Sequence, residues 1–290
     1  MIATSSESIR GTPVENTEKA WAAHKAADAE SRGLLNINAD DWGRDRENTD
    51  RTLECVSRGT VNSVSAMVFM ADSERAASIA RENQVEAGLH LNFTTAFSAK
   101  DRPPKVQARQ DELARFLRAN RFAQVLFHPL LARSFEYLVS SQLDEYQRIY
   151  GEAPRRLDGH HHMHLCTNVL LGKLLPAGTL VRRSFTFQVG EKGRVNRFYR
   201  RLVDRLLASR HRTADCFFSL VPLNPIERLE RIFKLSETLT VEVETHPVNT
   251  EEFKFLMGDE ALRLSEKLRI AVLQKEQARA GQAELPELPA

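Results

Sequence analysis

The sequence predicts an α/β protein: a distorted (β/α) barrel, TIM-barrel-like, with about seven mostly parallel strands. Three observations predict it. Strand-like and helix-like segments alternate through residues 31–270, the pattern of parallel strands joined by right-handed crossovers. Seven or so such units over this length suit a closed or nearly closed barrel. No G-x-G-x-x-G follows the first strand, which weakens the alternative, an open doubly wound sheet that binds a dinucleotide.

The elements read as follows. LLNINA (34–39) is a buried strand, followed by the helix RENTDRTLECVSRG with Gly59 as its stop. TVNSVSAMVF (60–69) is rich in β-branched residues and reads as the second strand. SERAASIARENQ (73–84) is a helix, and VEAGLHLNF (85–93) a third strand. A helical region over about 109–150 breaks near His128-Pro129 and ends at Gly151. RRLDGH (155–160), GTLVRRSFTF (178–187), DCFFSLV (215–221) and LTVEVETH (239–246) supply the remaining strands. Residues 1–30 read as a polar N-terminal extension and 271–290 as a polar, Pro-bearing tail, leaving 31–270 as a single domain.

Bulk properties exclude several classes. A net charge of +2 is too balanced to make nucleic acid an obligatory partner. No apolar run approaches the ~20 residues of a bilayer span, and the first residues lack the apolar core of a secretory signal. Cys55, Cys166 and Cys216 are odd in number and widely spaced, so no disulfide framework is implied and a cytoplasmic location is the simplest expectation. Cys166, although near several histidines, reads as a small buried apolar residue.

Polar groups gather at one repeated place, the C-terminal ends of the strands. Strand one ends in Asp40-Asp41, strand three carries His90, strand four runs into Asp158 and a histidine cluster, and the last ends at Glu244-Thr245-His246. In a parallel barrel these ends share one rim, where active sites are built. Asp40 and Asp41 would point to opposite sides of an extended strand, but a turning strand end lets both reach one cavity. A plain helix-capping turn is the alternative for the pair. His90 lies opposite Leu89 and Leu91 and would face inward. His160, His162 and His164 would share one face of an extended segment, with His161 on the other. Apolar neighbours Leu157, Met163 and Leu165 argue against a solvated histidine tract. A carboxylate plus imidazoles with an open position for water is a catalytic rather than structural metal arrangement.

With these residues in hand, the chain resembles the YdjC-like carbohydrate deacetylases. The matching motifs are INADDWG (37–43, where the family usually has ADDFG), GLHLN (88–92), LDGHHHMH (157–164) and ETHP (244–247). The resemblance implies metal-dependent removal of an acetyl group from an N-acetylated sugar or oligosaccharide. It implies one divalent ion, magnesium or zinc foremost, held by Asp41, His90 and His160, with His162 as an alternative to His160. Asp40 is then the general base, and His246 the group that protonates the departing amine or stabilises the oxyanion. His164 is a further ligand or substrate contact, and Asp158 and Glu244 orient the imidazoles from behind. The rivals are a hydrolase of another amide or ester on the same barrel, and a non-catalytic carbohydrate-binding descendant. A homodimer is compatible with the resemblance.

Residues 194–212, RVNRFYRRLVDRLLASRHR, form a basic amphipathic helix. It reads either as a barrel helix with a solvated face or as a basic surface for an anionic saccharide, a lipid pyrophosphate carrier or a membrane.

Overall fold

The computed structural model describes residues 33–119, 122–187 and 193–264. The expected N-terminal extension and C-terminal tail lie outside these. The described chain alternates as predicted: β1 (Leu34–Trp42), α1 (Arg46–Arg58), β2 (Ser63–Ala66), α2 (Ser73–Glu82), β3 (Glu86–Leu91), α3 (Pro104–Ala119), α4 (Ala132–Tyr150), β4 (Arg156–Gly159), α5 (Thr167–Leu171), β5 (Leu180–Val181), α6 (Arg194–Ala208), β6 (Cys216–Ser219), α7 (Ile226–Leu235), β7 (Thr240–Thr245) and α8 (Thr250–Met257). The expected break at His128-Pro129 falls at a short 3₁₀ turn between α3 and α4.

The seven strands form one sheet in the order β5-β4-β3-β2-β1-β7-β6, every neighbouring pair parallel. The sheet curls until its edges meet. Val181 N donates to Arg212 O, and Thr186 N donates to Phe217 O, both at 2.8 Å. These bonds tie the β5 side to the β6 side and nearly close a distorted barrel. The expected long fifth strand over 178–187 is a correction: only Leu180 and Val181 are strand, because the chain beyond them spans the seam.

The strands are buried on both faces, as parallel strands are, but the two faces differ. Ile37, Ala39, Val64, Ala66, Leu89, Leu91, Leu157, Val181, Val241 and Val243 face the surrounding helices in the apolar core. Alternate positions point into the barrel and are polar: Asn38, Ser63, Ser65, Arg156, Asp158, Arg182, Glu242 and Glu244, all buried. Burying such groups is costly unless each finds a partner, and here they do. Asn38 donates to Ser65 Oγ at 2.8 Å, Ser65 to Asp158 at 2.6 Å, and Arg156 to Asn38 at 2.9 Å and Glu242 at 3.1 Å. Gly88 makes room for this layer, since a Cβ there would lie 2.8 Å from the Arg156 Cβ.

The helices are capped locally. Asp45 accepts from Asn48 N at the start of α1, and Gly59 ends it in the left-handed region at φ 79°.

Candidate functional site

The barrel rim collects the residues singled out from the sequence. β1 carries an irregularity between Ala39 and Trp42 against β2, with Asp41 at φ 62°. A bulge of this kind re-aims a side chain, so Asp40 and Asp41, expected on opposite sides of an extended strand, both end up buried near His90. The backbone strain of a left-handed aspartate is a feature of functional positions.

His90 comes from β3, where it pairs with Asp158 of β4 in register. Its Nδ1 lies 2.7 Å from Asp158 Oδ1, which turns Nε2 toward Asp41 Oδ1 at 3.5 Å. His160 follows β4 directly, and its Nδ1 lies 2.9 Å from the same Asp41 oxygen. That approach lacks hydrogen-bond alignment: Asp41 Oδ1 and His90 Nε2 are both buried without a hydrogen-bond partner. Ligand atoms of Asp41, His90 and His160 lie within 4.8 Å of one another. Two buried polar atoms without partners, beside a third nitrogen, fit a divalent cation, and a set of one oxygen and two nitrogens suits several such ions. The other Asp41 oxygen takes Arg44 at 2.8 Å. A second grouping, Asp40, His90 and Asp158, is also close, but there the oxygens are already engaged by protein donors.

The histidine run is the clearest correction to the sequence reading. It was expected as an extended continuation of β4. Instead β4 ends at Gly159, and His161 and His162 take left-handed φ of 55° and 56°. His160, His162 and His164 therefore do not share a face. Gly159 permits the turn, because a Cβ there would lie 3.0 Å from both His164 N and Leu91 O. His161 Nδ1 lies 3.0 Å from Thr94 Oγ1. The ring of His162 meets Phe185 edge-on, and its Nε2 is 3.7 Å from Glu244. His164 is fully buried, with Nε2 at 2.9 Å from the Arg182 carbonyl. Neither His162 nor His164 falls in a cation-sized grouping among the described residues.

Asp40 is held differently from Asp41. Arg182 grips it with two nitrogens at 2.7 and 2.8 Å, and Asn38 adds a third bond at 2.8 Å. Burial pushes the Asp40 carboxyl up, but Arg182 and His90 outweigh it and hold it below the ordinary carboxylate range. Arg182 also reaches Asp158 at 2.8 Å, Glu242 at 2.8 Å and Glu244 at 3.4 Å, with its guanidinium over the Phe217 ring. It is the cationic hub of the rim, and sequence reading assigned it no role.

His90 is disfavoured as a cation by burial, yet the carboxylates of Asp158 and Asp40 overcome this and raise it to about 10. Burial, then Arg182, lowers His162 to about 3, so its ring is neutral. Glu244 is raised well above the usual range by burial and by Asp40 nearby. His246 follows Thr245, the β7 partner of Ala39, and so stands level with Asp40 at the rim. Buried Glu252 fixes this corner, accepting from Thr245 Oγ1 at 2.7 Å and His246 N at 2.9 Å.

A groove of about 1010 Å³ opens beside the cluster, with His161 and His162 in its lining. Among the described residues no helix is long and apolar enough to cross a membrane.

Comparison with known proteins gives the chain's family and relatives of its fold. A family model described as YdjC-like protein matches residues 34–282. A chitooligosaccharide deacetylase of Yersinia enterocolitica is 27% identical over 137 residues, covering 47% of this chain and 52% of that protein. A carbohydrate deacetylase of Mus musculus is 27% identical over 139 residues, covering 48% and 45%. The chain thus spans about half the length of these relatives. The crystal structure of an Enterococcus faecalis V583 protein, described as a candidate cellobiose-phosphate cleavage protein, shares the fold at a TM-score of 0.57. It is 17% identical and covers 82% of this chain and 95% of that one.

Proposed function

Since the chain belongs to the YdjC-like protein family, we propose that it is a metal-dependent carbohydrate N-deacetylase, a hydrolase that frees acetate and an amine from an N-acetylated sugar. The observation that carries this reading is the pair of orphaned buried atoms, Asp41 Oδ1 and His90 Nε2, facing each other beside His160. The relatives named above as deacetylases support the substrate class.

Asp41, His90 and His160 hold the divalent ion, magnesium or zinc by their donor types. When bound, such an ion acidifies water and withdraws charge from a carbonyl oxygen. Asp158 fixes His90 by its 2.7 Å bond to Nδ1, leaving Nε2 free for the ion. Asp40 accepts the proton of the attacking water. Gripped by Arg182, it is a weak base in a fixed orientation, and a weak base serves only where water has already been made more acidic. His246, directly after β7 and level with Asp40, donates the proton that the leaving nitrogen needs. Glu244 stands beside His162 and Arg182 at the back of the rim. His162 and the groove beside it receive the sugar.

The test combines metal content and turnover on a panel of N-acetylated oligosaccharides after reloading with divalent ions. Wild type should hold near-stoichiometric metal and release acetate. His160→Ala should lose the metal. Asp40→Asn should keep it and lose turnover by about 10²-fold or more. Wild-type protein that takes up no metal on reloading would sink the reading, as would an Asp40→Asn variant with full activity.

A further inference from the structure

Helix α6 is built unlike the other barrel helices. Its core-facing stripe is short: Val203 and Leu207 are buried and Tyr199 is half-buried. Beside that stripe runs a second apolar one that nothing among the described residues covers. Val195 is 84% exposed, Phe198 69%, Leu202 49% and Leu206 42%. These recur at spacings of three, four and four, one line along the helix surface. A third line, Arg194, Arg197, Arg201 and Arg205, lies one residue ahead of it in register, and no carboxylate pairs with these four among the described residues. The helix as a whole carries five arginines against one aspartate, on a chain whose net charge is only +2.

The segment across the groove has the same character. Val125, Leu126, Phe127 and Leu130 are 40%, 55%, 45% and 86% exposed. The groove runs between the two. Val125 and Leu126 line one wall, Val195, Tyr199 and Val203 the other, and His161 and His162 close its inner end. The His161 ring lies 4.0 Å from that of His160, so the groove abuts the candidate metal centre. Its lining mixes apolar side chains such as Leu126, Leu165 and Val195 with polar ones such as Gln124, Asn196 and Arg200.

An uncovered apolar stripe of this length needs an occupant. A second copy of the chain fits poorly: a two-fold contact along α6 would set one arginine line against its own image. An anionic lipid surface fits both lines at once. Phe and Leu enter the interface and the flanking guanidiniums meet phosphate headgroups. We propose that α6 and the facing 125–130 segment dock the protein on an anionic bilayer, so that the groove presents the metal centre to the sugar headgroup of a membrane-borne glycolipid. The docking stands independently of the catalytic reading, whereas the choice of a glycolipid as substrate rests on it.

The experiment is vesicle flotation with the full chain, which requires no turnover. Vesicles of phosphatidylcholine alone are compared with vesicles containing phosphatidylglycerol, at low and high salt. The expected result is binding to the anionic vesicles that weakens steeply with salt. Arg197→Glu combined with Arg201→Glu should reduce it roughly tenfold or more. Phe198→Asp combined with Leu202→Asp should do the same without removing a basic residue. Lys234→Glu, on an exposed position of α7, should change it little. Phe198, Arg201 and Leu202 are exposed and Arg197 is half-buried, and circular dichroism should report intact folding of both variants. Failure of the full chain to float at low salt would overturn the proposal. So would flotation that both α6 variants retain, or a solution dimer that the Phe198→Asp, Leu202→Asp pair dissolves in place of vesicle binding. None of these outcomes bears on metal content or acetate release, which test the catalytic reading separately.

Discussion

Replacing Arg182 with methionine should destabilise the protein by about 3–5 kcal/mol, the range for leaving buried charge without its partner. The structure sets the size. Arg182 lies within 2.8 Å of Asp40, Asp158 and Glu242, and 3.4 Å from Glu244, all buried. The neighbouring interior cation, Arg156, reaches Glu242 at 3.1 Å, which leaves Asp40 and Asp158 to Arg182 and, more weakly for Asp40, to His90 at 4.0 Å. The effect has a pH signature. In wild type, Arg182 and His90 depress Asp40 and Asp158 below their unfolded values against the opposing effect of burial. Their stabilisation is therefore present above about pH 4 and fades only as pH falls through the depressed values. In the variant, burial acts with less opposition and the carboxyl values rise. The variant's penalty is then full near neutrality and relaxes as pH falls through those raised values. Urea midpoints, measured with chelator present so that no metal ion substitutes for the lost charge, should differ most at about pH 7.5 and less at about pH 5. Arg182→Lys should fall between, since an ammonium cannot span the same fork. A loss under about 1 kcal/mol, or a gap that does not narrow with acid, would refute the view that Arg182 neutralises the rim.

Two further expectations follow from the same geometry. Asp158→Asn keeps the shape but weakens the hold on His90 Nδ1; divalent-ion affinity should drop about 10–100-fold by titration calorimetry, and an unchanged affinity would remove Asp158 from any orienting role. Gly88→Ala places a methyl 2.8 Å from the Arg156 Cβ and 3.0 Å from its carbonyl oxygen; a cost of about 1–3 kcal/mol is expected in thermal unfolding, and wild-type stability would mean that β4 yields more easily than its packing implies.

The barrel was legible because its strands advertise themselves twice. β-Branched and apolar residues mark the faces that meet the helices, and polar residues alternate with them in NINAD, NSVSA, LDG and VEVET. Alternation of this kind ordinarily signals a strand with one wet face. Here both faces are dry, because the barrel interior is a hydrogen-bonded polar layer rather than an apolar plug. The gathering of Asp40, Asp41, His90, His160 and Asp158 was legible for the same reason: parallel topology delivers strand ends to one rim. What sequence could not supply was local backbone hand. The bulge that turns Asp41 inward and the left-handed turn at His161 and His162 depend on contacts made across the fold, to Arg44, Thr94 and the Arg182 carbonyl. Arg182 is the instructive case. It sits next to Arg183 in the sequence, and nothing local distinguishes the two. Yet Arg183 pairs with Asp204 on α6, while Arg182 is buried among four carboxylates from three strands. The signal was a matter of charge rather than motif. Once Asp40, Asp158, Glu242 and Glu244 are all placed on inward positions, an inward cation is required, and the alternation that turns Val181 of β5 outward turns Arg182, just past the strand, in.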